Sequence, residues 1–144
     1  MSIQISTIDD PTVMKLIEAA AAFAQGKNKP MSIAICDVGA NLKAFLRMDG
    51  ASLISSKTCQ DKAYSSAASR RPTHINYERI KDDPPLLHGM PHYPGIIIFG
   101  GGYPVVFDGE CVGAIGASGG GHWTNDMECA LAALRAVGAK SDWK

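Results

Sequence analysis

The chain has 144 residues, of which 46% are apolar and 19% charged, a composition that fits one globular domain spanning residues 1–144. Fourteen basic and fourteen acidic side chains cancel, so the charge favours neither a nucleic-acid nor an anionic-membrane partner. No apolar run approaches the ~20 residues of a membrane-spanning helix. The N-terminus lacks the basic and apolar pattern of a secretory signal, so we expect a cytoplasmic protein.

The four cysteines form no Cys-x-x-Cys pair, which argues against a zinc ribbon or a thioredoxin-type site. Each lies in an apolar stretch, where a free cysteine behaves as a small buried hydrophobe. We therefore interpret them as core thiols of a reduced protein. They are Cys36, Cys59, Cys111 and Cys129.

The first half of the chain predicts a helix, a hairpin and a second helix. Asp10 can cap a helix that begins at Pro11 and ends before Gly26. A strand over Met31–Cys36 and an alternating strand over Leu42–Met48 then form a hairpin. A second helix, capped by Ser55 or Ser56, runs to about Ser69, before Arg70-Arg71-Pro72.

The second half predicts a short helix from Thr73, a long proline-rich loop, three strands and a last helix. The loop covers 82–95, and loops of this length in a compact domain are often functional. The strands are Ile96–Phe99, Tyr103–Phe107 and Glu110–Ser118, and Asn125 with Glu128 has the spacing of a capping box for the last helix. Strands joined by tight turns form antiparallel sheets, so the chain is an α+β layered domain.

The four histidines, His74, His88, His92 and His122, all lie in predicted loops or at element edges, where function is concentrated. The run His88-Gly-Met90-Pro-His92 places two imidazoles and a thioether within five residues, which could ligate a haem iron or a transition metal. The alternative is a polar flap with both histidines in water. We predict no dedicated metal site.

His122 follows three glycines at a strand-to-helix turn, where helical N–H groups favour an anion. The acids of the first turn, Asp126 and Glu128, are expected to cap the helix and complement its dipole. The segment Gly100-Gly101-Gly102 interrupts a strand, which indicates either a bulge or a backbone that faces a ligand.

Three basic side chains could hold a carboxylate such as a haem propionate or a small dicarboxylate. Arg47 lies on the polar side of a strand, Lys62 on the second helix and Arg71 just after it. The alternative is solvated surface charge or a contact between subunits. The candidate ligand-binding set is Arg47, Lys62, Arg71, Thr73, Gly101 and Gly102.

An ordered set of motifs resembles the GlcG/HbpS-like haem-binding family, which includes the C-terminal domain of PduO-type cobalamin adenosyltransferases. The resemblance extends over roughly residues 10–140. Its segments are Asp37-x-Gly39, Leu42-x-Ala44-Phe45-x-Arg47-Met48-Asp49-Gly50-Ala51, Lys62-Ala63-Tyr64-x-x-Ala67-Ala68 with Arg71-Pro72-Thr73, Pro94-Gly95, Gly100-Gly101-Gly102-x-Pro104, Asp108-Gly109-x-x-Val112-Gly113-Ala114-Ile115-Gly116-x-Ser118-Gly119-Gly120, and Asp126-x-x-Cys129-Ala130.

The resemblance implies an α-β-α sandwich around a five-stranded antiparallel sheet of the PAS- or profilin-like kind. It also implies homo-oligomers, from dimers to octamers, and haem or another tetrapyrrole as ligand in some members. PduO-type domains can ligate haem through a histidine on the first helix, and the helix predicted over Pro11–Gln25 contains none.

We therefore carry two main hypotheses for the function. The first is a small-ligand binding protein, with haem as the candidate cofactor. The alternative is an enzyme of small-molecule catabolism, in which His122, His88 or His92 acts as a base on a ring-cleavage product or oxo-acid held by Arg47 or Arg71. A third option is an oligomeric accessory protein without a ligand of its own.

Overall fold

The computed structural model describes all residues, 1–144, and contains five α-helices, one short 3₁₀-helix and four strands. The elements are α1 (Asp10–Gly26), β1 (Ser32–Asp37), β2 (Leu42–Arg47), α2 (Leu53–Ser69), α3 (Thr73–Ile80), α4 (Pro84–Gly89), the 3₁₀-helix (Met90–His92), β3 (Gly102–Phe107), β4 (Glu110–Ser118) and α5 (Trp123–Ala136). None of these helices is both long and apolar enough to cross a membrane.

The four strands form one antiparallel sheet in the order β2-β1-β4-β3. The expectation of five strands was therefore wrong, because Ile96–Phe99 pairs with no strand. Side chains satisfy its backbone instead: Ile97 donates its N–H to Ser65 Oγ and accepts from Asn76 Nδ2 at 2.8 and 2.9 Å. The segment lies against α2 and α3 rather than extending the sheet.

Helices cover both faces of the sheet, which confirms the α+β class and the α-β-α layering. On one face α1 and α5 pack against the sheet and against each other over the larger core, which includes Leu16, Ile33, Tyr103, Ile115 and Leu134. On the other face α2 packs through small side chains: Cys59, Ala63 and Ala67 meet Ala34, Cys36 and Ala114. The PAS- or profilin-like label is not confirmed.

Three of the predicted helix starts were wrong by one to four residues. Asp9, not Asp10, caps α1, and its side chain accepts from the backbone N–H of Thr12. Helix α2 begins after Ser52 rather than after Ser55 or Ser56. Helix α5 begins directly after His122, so Asn125 lies inside it and cannot form the predicted capping box.

The predicted irregular loop over 82–95 is partly helical. Asp83 accepts from the N–H of Leu86 and starts α4, which runs directly into the 3₁₀-helix. The thiol prediction is confirmed for three of the four cysteines, which are free and buried, whereas Cys111 is free but half-buried. Burial raises the pKa of Cys59 and Cys129 to about 12, so both are protonated and unreactive at neutral pH.

Candidate functional site

A buried ion pair joins α2 to α5 at one end of the sheet. The Lys62 Nζ lies 2.6 Å from the Asp126 carboxylate and donates a second hydrogen bond to the Ala117 carbonyl at 3.0 Å. The Lys62 side chain is fully buried, and that of Asp126 is 7% exposed. The second Asp126 oxygen accepts from the N–H of Gly120 at 2.9 Å, so the carboxylate fixes the glycine turn before α5.

The electrostatics of this pair are set by opposing effects. Burial lowers the pKa of Lys62, and the Asp126 carboxylate opposes that shift. The ammonium also lies 5.3 Å from the centre of the Phe99 ring, within the range of a cation–π contact. A charge in this environment is retained only because carboxylate, carbonyl and ring together replace its lost hydration.

A cavity of about 500 Å³ opens beside the ion pair. Its size lies within the range of small-ligand pockets. Lys62 and Asp126 form part of its wall, and His122, Trp123 and Phe99 bring an imidazole and two aromatic rings to it. Phe99 and Trp123 are 39% and 37% exposed, so their rings present apolar surface to solvent.

His122 is held by the helix it caps. Its Nδ1 lies 3.2 Å from the backbone N of Thr124 and 3.0 Å from that residue's Oγ1, and its ring lies 4.8 Å from the ring of Trp123. With the proton on Nε2, Nδ1 accepts from the Thr124 N–H. With the proton on Nδ1, that atom donates to Oγ1 and leaves Nε2 with a free lone pair. The second form can bind a metal ion.

A second cavity, of about 460 Å³, adjoins the first and shares Phe99 and Trp123 with it. Its other walls include His74 and Tyr77. The His74 Nε2 lies 2.9 Å from a Lys144 oxygen, while its Nδ1 is buried without a hydrogen-bond partner. The two cavities together bring the rings of Phe99, Trp123 and Tyr77 and two imidazoles to one surface, among polar side chains that include Ser52, Ser55 and Glu78.

Three predicted ligand-binding residues pack tightly around Lys62. The Thr73 Oγ1 accepts from the N–H of Gly102 at 3.0 Å. A Cβ on Gly101 would lie 2.6 Å from Lys62 Nζ, and one on Gly102 would lie 2.7 Å from Thr73 Cγ2. Glycine is therefore needed here for the close approach of the chain before β3 to α2 and α3.

The other candidates do not join this cluster. Arg47 is exposed on the edge strand β2, and His88 and His92 are exposed on the segment that follows α3. None of these three lines a cavity of appreciable size. Arg71 lines a separate cavity beyond the end of α2. No group of three or more His, Cys, Asp or Glu is arranged to hold a metal ion.

The sequence reasoning missed the pairing role of Asp126, which it interpreted as a helix-dipole residue. The position of Lys62 in the sequence could have indicated this pairing. It lies three residues after Cys59 and one before Ala63, on the apolar face of α2, so a buried partner of opposite charge was required. Because α5 begins at Trp123, Asp126 is the only acid of its first turn, and it is buried, whereas Glu128 lies in the next turn and is exposed.

Comparison with known proteins agrees with this architecture. A family model described as haem degrading protein HbpS-like matches residues 8–135. An uncharacterized 15.0 kDa protein from the dhaT-dhaS intergenic region of Citrobacter freundii is 35% identical over 119 residues, which cover 81% of this chain and 83% of that protein.

Two solved structures are similar over nearly the whole chain. The PduOC:heme complex has a TM-score of 0.86 and 29% identity, with 94% of this chain and 98% of that chain covered. A double mutant of HbpS from Streptomyces reticuli has a TM-score of 0.84 and 27% identity, with 93% and 89% covered. Haem is named for the family model and for the PduOC complex, and none of these proteins supports the alternative of an enzyme that acts on a ring-cleavage product or oxo-acid. The chain belongs to the HbpS-like family.

Proposed function

We propose that this protein binds a flat, largely apolar ligand of the tetrapyrrole class, with haem as the leading candidate, in the cavity beside His122. The observation that carries this proposal is that the imidazole of His122, which stacks near the Trp123 ring, lines one cavity together with the exposed rings of Trp123 and Phe99. An imidazole nitrogen can bind the iron of a haem, and neighbouring aromatic rings can pack against its porphyrin plane.

The residues fit this ligand in two respects. His122 can present Nε2 to an iron atom while its Nδ1 donates to Thr124 Oγ1, the kind of second hydrogen bond that orients a ligating histidine. The adjoining cavity, lined by Tyr77 and Ile98, extends the apolar surface. Haem would supply redox and gas-binding chemistry, and the chain would supply the imidazole nitrogen of His122 and the rings of Phe99, Trp123 and Tyr77.

Family membership supports the proposal, but the proposed iron ligand, His122, differs from the histidine on the first helix that PduO-type domains of the family can use. Helix α1 contains no histidine, so a ligand on the first helix is absent from this chain. His122, at the opposite end of the chain, takes that role here. Cytoplasmic location and assembly into homo-oligomers stay predictions, and sedimentation analysis would test the second.

A haemin titration followed by Soret absorbance tests the proposal. We expect a saturable, sharp Soret band in the wild type, retained in His88→Ala and His92→Ala, whose side chains lie outside the cavity. The decisive variant is His122→Ser, because serine can cap α5 while removing the imidazole. Loss of the sharp band in this variant, with unchanged circular dichroism, would support the proposal.

Two other outcomes would overturn it. A broad, unsaturable absorbance change that no variant alters would remove haem as the ligand. A sharp band that persists in His122→Ser and disappears in His88→Ala or His92→Ala would keep haem but move the iron ligand to the segment after α3.

A further inference from the structure

A third cavity, of about 290 Å³, lies beyond the C-terminal end of α2 and shares no residue with the cavity beside His122. Two guanidinium groups line it, those of Arg71 and Arg79, and no acidic side chain does. Neither arginine forms an ion pair. The acid next to Arg79 in sequence, Glu78, is held at 2.6 Å by Lys81.

The unpaired charges are unfavourable in this position. The Arg71 Nε is buried without a hydrogen-bond partner, although the same side chain reaches a cavity. Burial and the nearby Arg79 charge both lower the pKa of Arg71. Two like charges that share a partly enclosed cavity repel each other, and an anion between them would offset that repulsion and accept charge-assisted hydrogen bonds from the guanidinium groups.

The other polar groups of this cavity are already engaged in fixing its walls. Ser65 Oγ donates to the Gly95 carbonyl at 2.5 Å and accepts from the N–H of Ile97, while Asn76 Nδ2 donates to the Ile97 carbonyl. These bonds fix the segment whose Ile96 and Ile98 side chains form the apolar wall. The free hydrogen-bond donors of the cavity are therefore the two guanidinium groups and the second N–H of the Asn76 amide, and only the guanidinium groups are charged.

The size and the apolar wall restrict the chemical class of the anion. A volume of about 290 Å³ corresponds to roughly ten water molecules. That space exceeds what a carboxylate group alone would fill. Ile80, Ile96, Ile98 and Met90 would contact a hydrocarbon body next to the anionic group. A strongly hydrated anion such as phosphate would leave this wall unused.

We propose that Arg71 and Arg79 form a binding site for a small organic carboxylate with a compact apolar body, such as an aromatic or branched aliphatic acid. The segment after α3 contributes Met90 to this site, which gives the residues around His88 and His92 a function as a wall rather than as metal ligands. The proposal does not depend on haem binding.

Benzoate is the probe, titrated at constant ionic strength and followed by ¹H–¹⁵N NMR. We expect saturable shifts of the amides of Met90, Ile96 and Ile98. Benzamide, the neutral analogue, and acetate, which lacks the apolar body, should each bind at least tenfold more weakly. Arg79→Gln should weaken benzoate binding at least fivefold, and Arg47→Gln, which changes an exposed arginine that does not line this cavity, should not weaken it.

Equal binding of benzamide, or unchanged binding in Arg79→Gln, would overturn the carboxylate site. Phosphate that binds as tightly as benzoate would refute the organic-acid class. Arg79 is exposed, so its substitution should leave the fold intact, which the circular dichroism spectrum checks. A haemin titration of Arg79→Gln keeps the two proposals separate, because we expect its Soret band to match the wild type.

Discussion

Removing one member of the Lys62–Asp126 pair should destabilise the protein far more than removing both. Asp126→Ala leaves the ammonium buried at 0% side-chain exposure without its counter-charge, and it frees the N–H of Gly120. Breaking a buried pair from one side costs about 3–5 kcal/mol. That is a large part of the ~5–15 kcal/mol that a domain has in total.

The double variant Lys62→Met with Asp126→Asn replaces the charges by an apolar chain and a neutral amide of similar size. We expect it to recover to within about 2 kcal/mol of the wild type, because no charge is then left buried. The pair Lys57–Asp61 on the same helix, in which Lys57 is exposed and Asp61 half-buried, is the matched control. Lys57→Met should cost less than about 1 kcal/mol.

Urea unfolding followed by circular dichroism measures these differences. The pH dependence adds a second test, because Asp126→Asn removes the group that raises the pKa of Lys62. Burial then lowers the pKa of Lys62 further than in the wild type. Between that lowered pKa and the ordinary lysine pKa of 10.5 the unfolded state holds more protons than the folded state, so the variant should gain more stability than the wild type as pH rises towards 10.5. This reasoning would be refuted if the losses of unfolding free energy in the two single variants added up to the loss in the double variant. It would also be refuted if Lys62→Met alone cost less than about 1 kcal/mol.

Three further predictions concern the core and the segment before β3. The pKa of the Cys59 thiol is raised from 9.0 to about 12, so its contribution to the free energy of unfolding is complete below pH 9 and falls by about 1.4 kcal/mol per pH unit between pH 9 and about 12. Cys59→Ala should make the decline of unfolding free energy with pH in this window shallower by that amount, and an unchanged decline would contradict the raised pKa. Gly101→Ala should cost more than about 2 kcal/mol, since φ is +122° and the new Cβ would meet Lys62 Nζ, whereas Gly89→Ala has free space and should change the melting temperature little. Ser65→Ala removes two hydrogen bonds to the chain at Gly95 and Ile97, so we expect a loss of about 1–3 kcal/mol and faster amide exchange of Ile97; unaltered exchange would show that other contacts hold the segment.

The element order was largely predictable because it depends on local patterns. The alternation in Leu42–Met48 and the Asp108-Gly109 turn predict strands and a hairpin, and the structure contains both hairpins. Ile96–Phe99 is the exception. Its apolar run matches a strand, yet the Ser65 and Asn76 side chains bind its backbone, and no local pattern identifies partners about twenty to thirty residues away.

The candidate site was predictable in part. Lys62 and His122 were selected from residue type and position, and both line the cavity at the start of α5. Arg47, His88 and His92 were selected on the same grounds and lie elsewhere, because chemical type does not specify which surface a loop or an edge strand faces. Arg79 was not selected, since an arginine in a short amphipathic helix is indistinguishable in sequence from surface charge.

The sequence by itself determined the layered α+β class, the faces of the helices and the family. These follow from apolar spacing, turn residues and an ordered set of short motifs along the chain. Only the tertiary structure decided which charges meet. Lys62 and Asp126 are 64 positions apart, and they pair because α2 covers one face of the sheet while α5 begins at the turn that follows β4. Long-range pairing depends on how the layers are placed, and so the ion pair and the arginine cavity exist only once the sheet and its helices have come together.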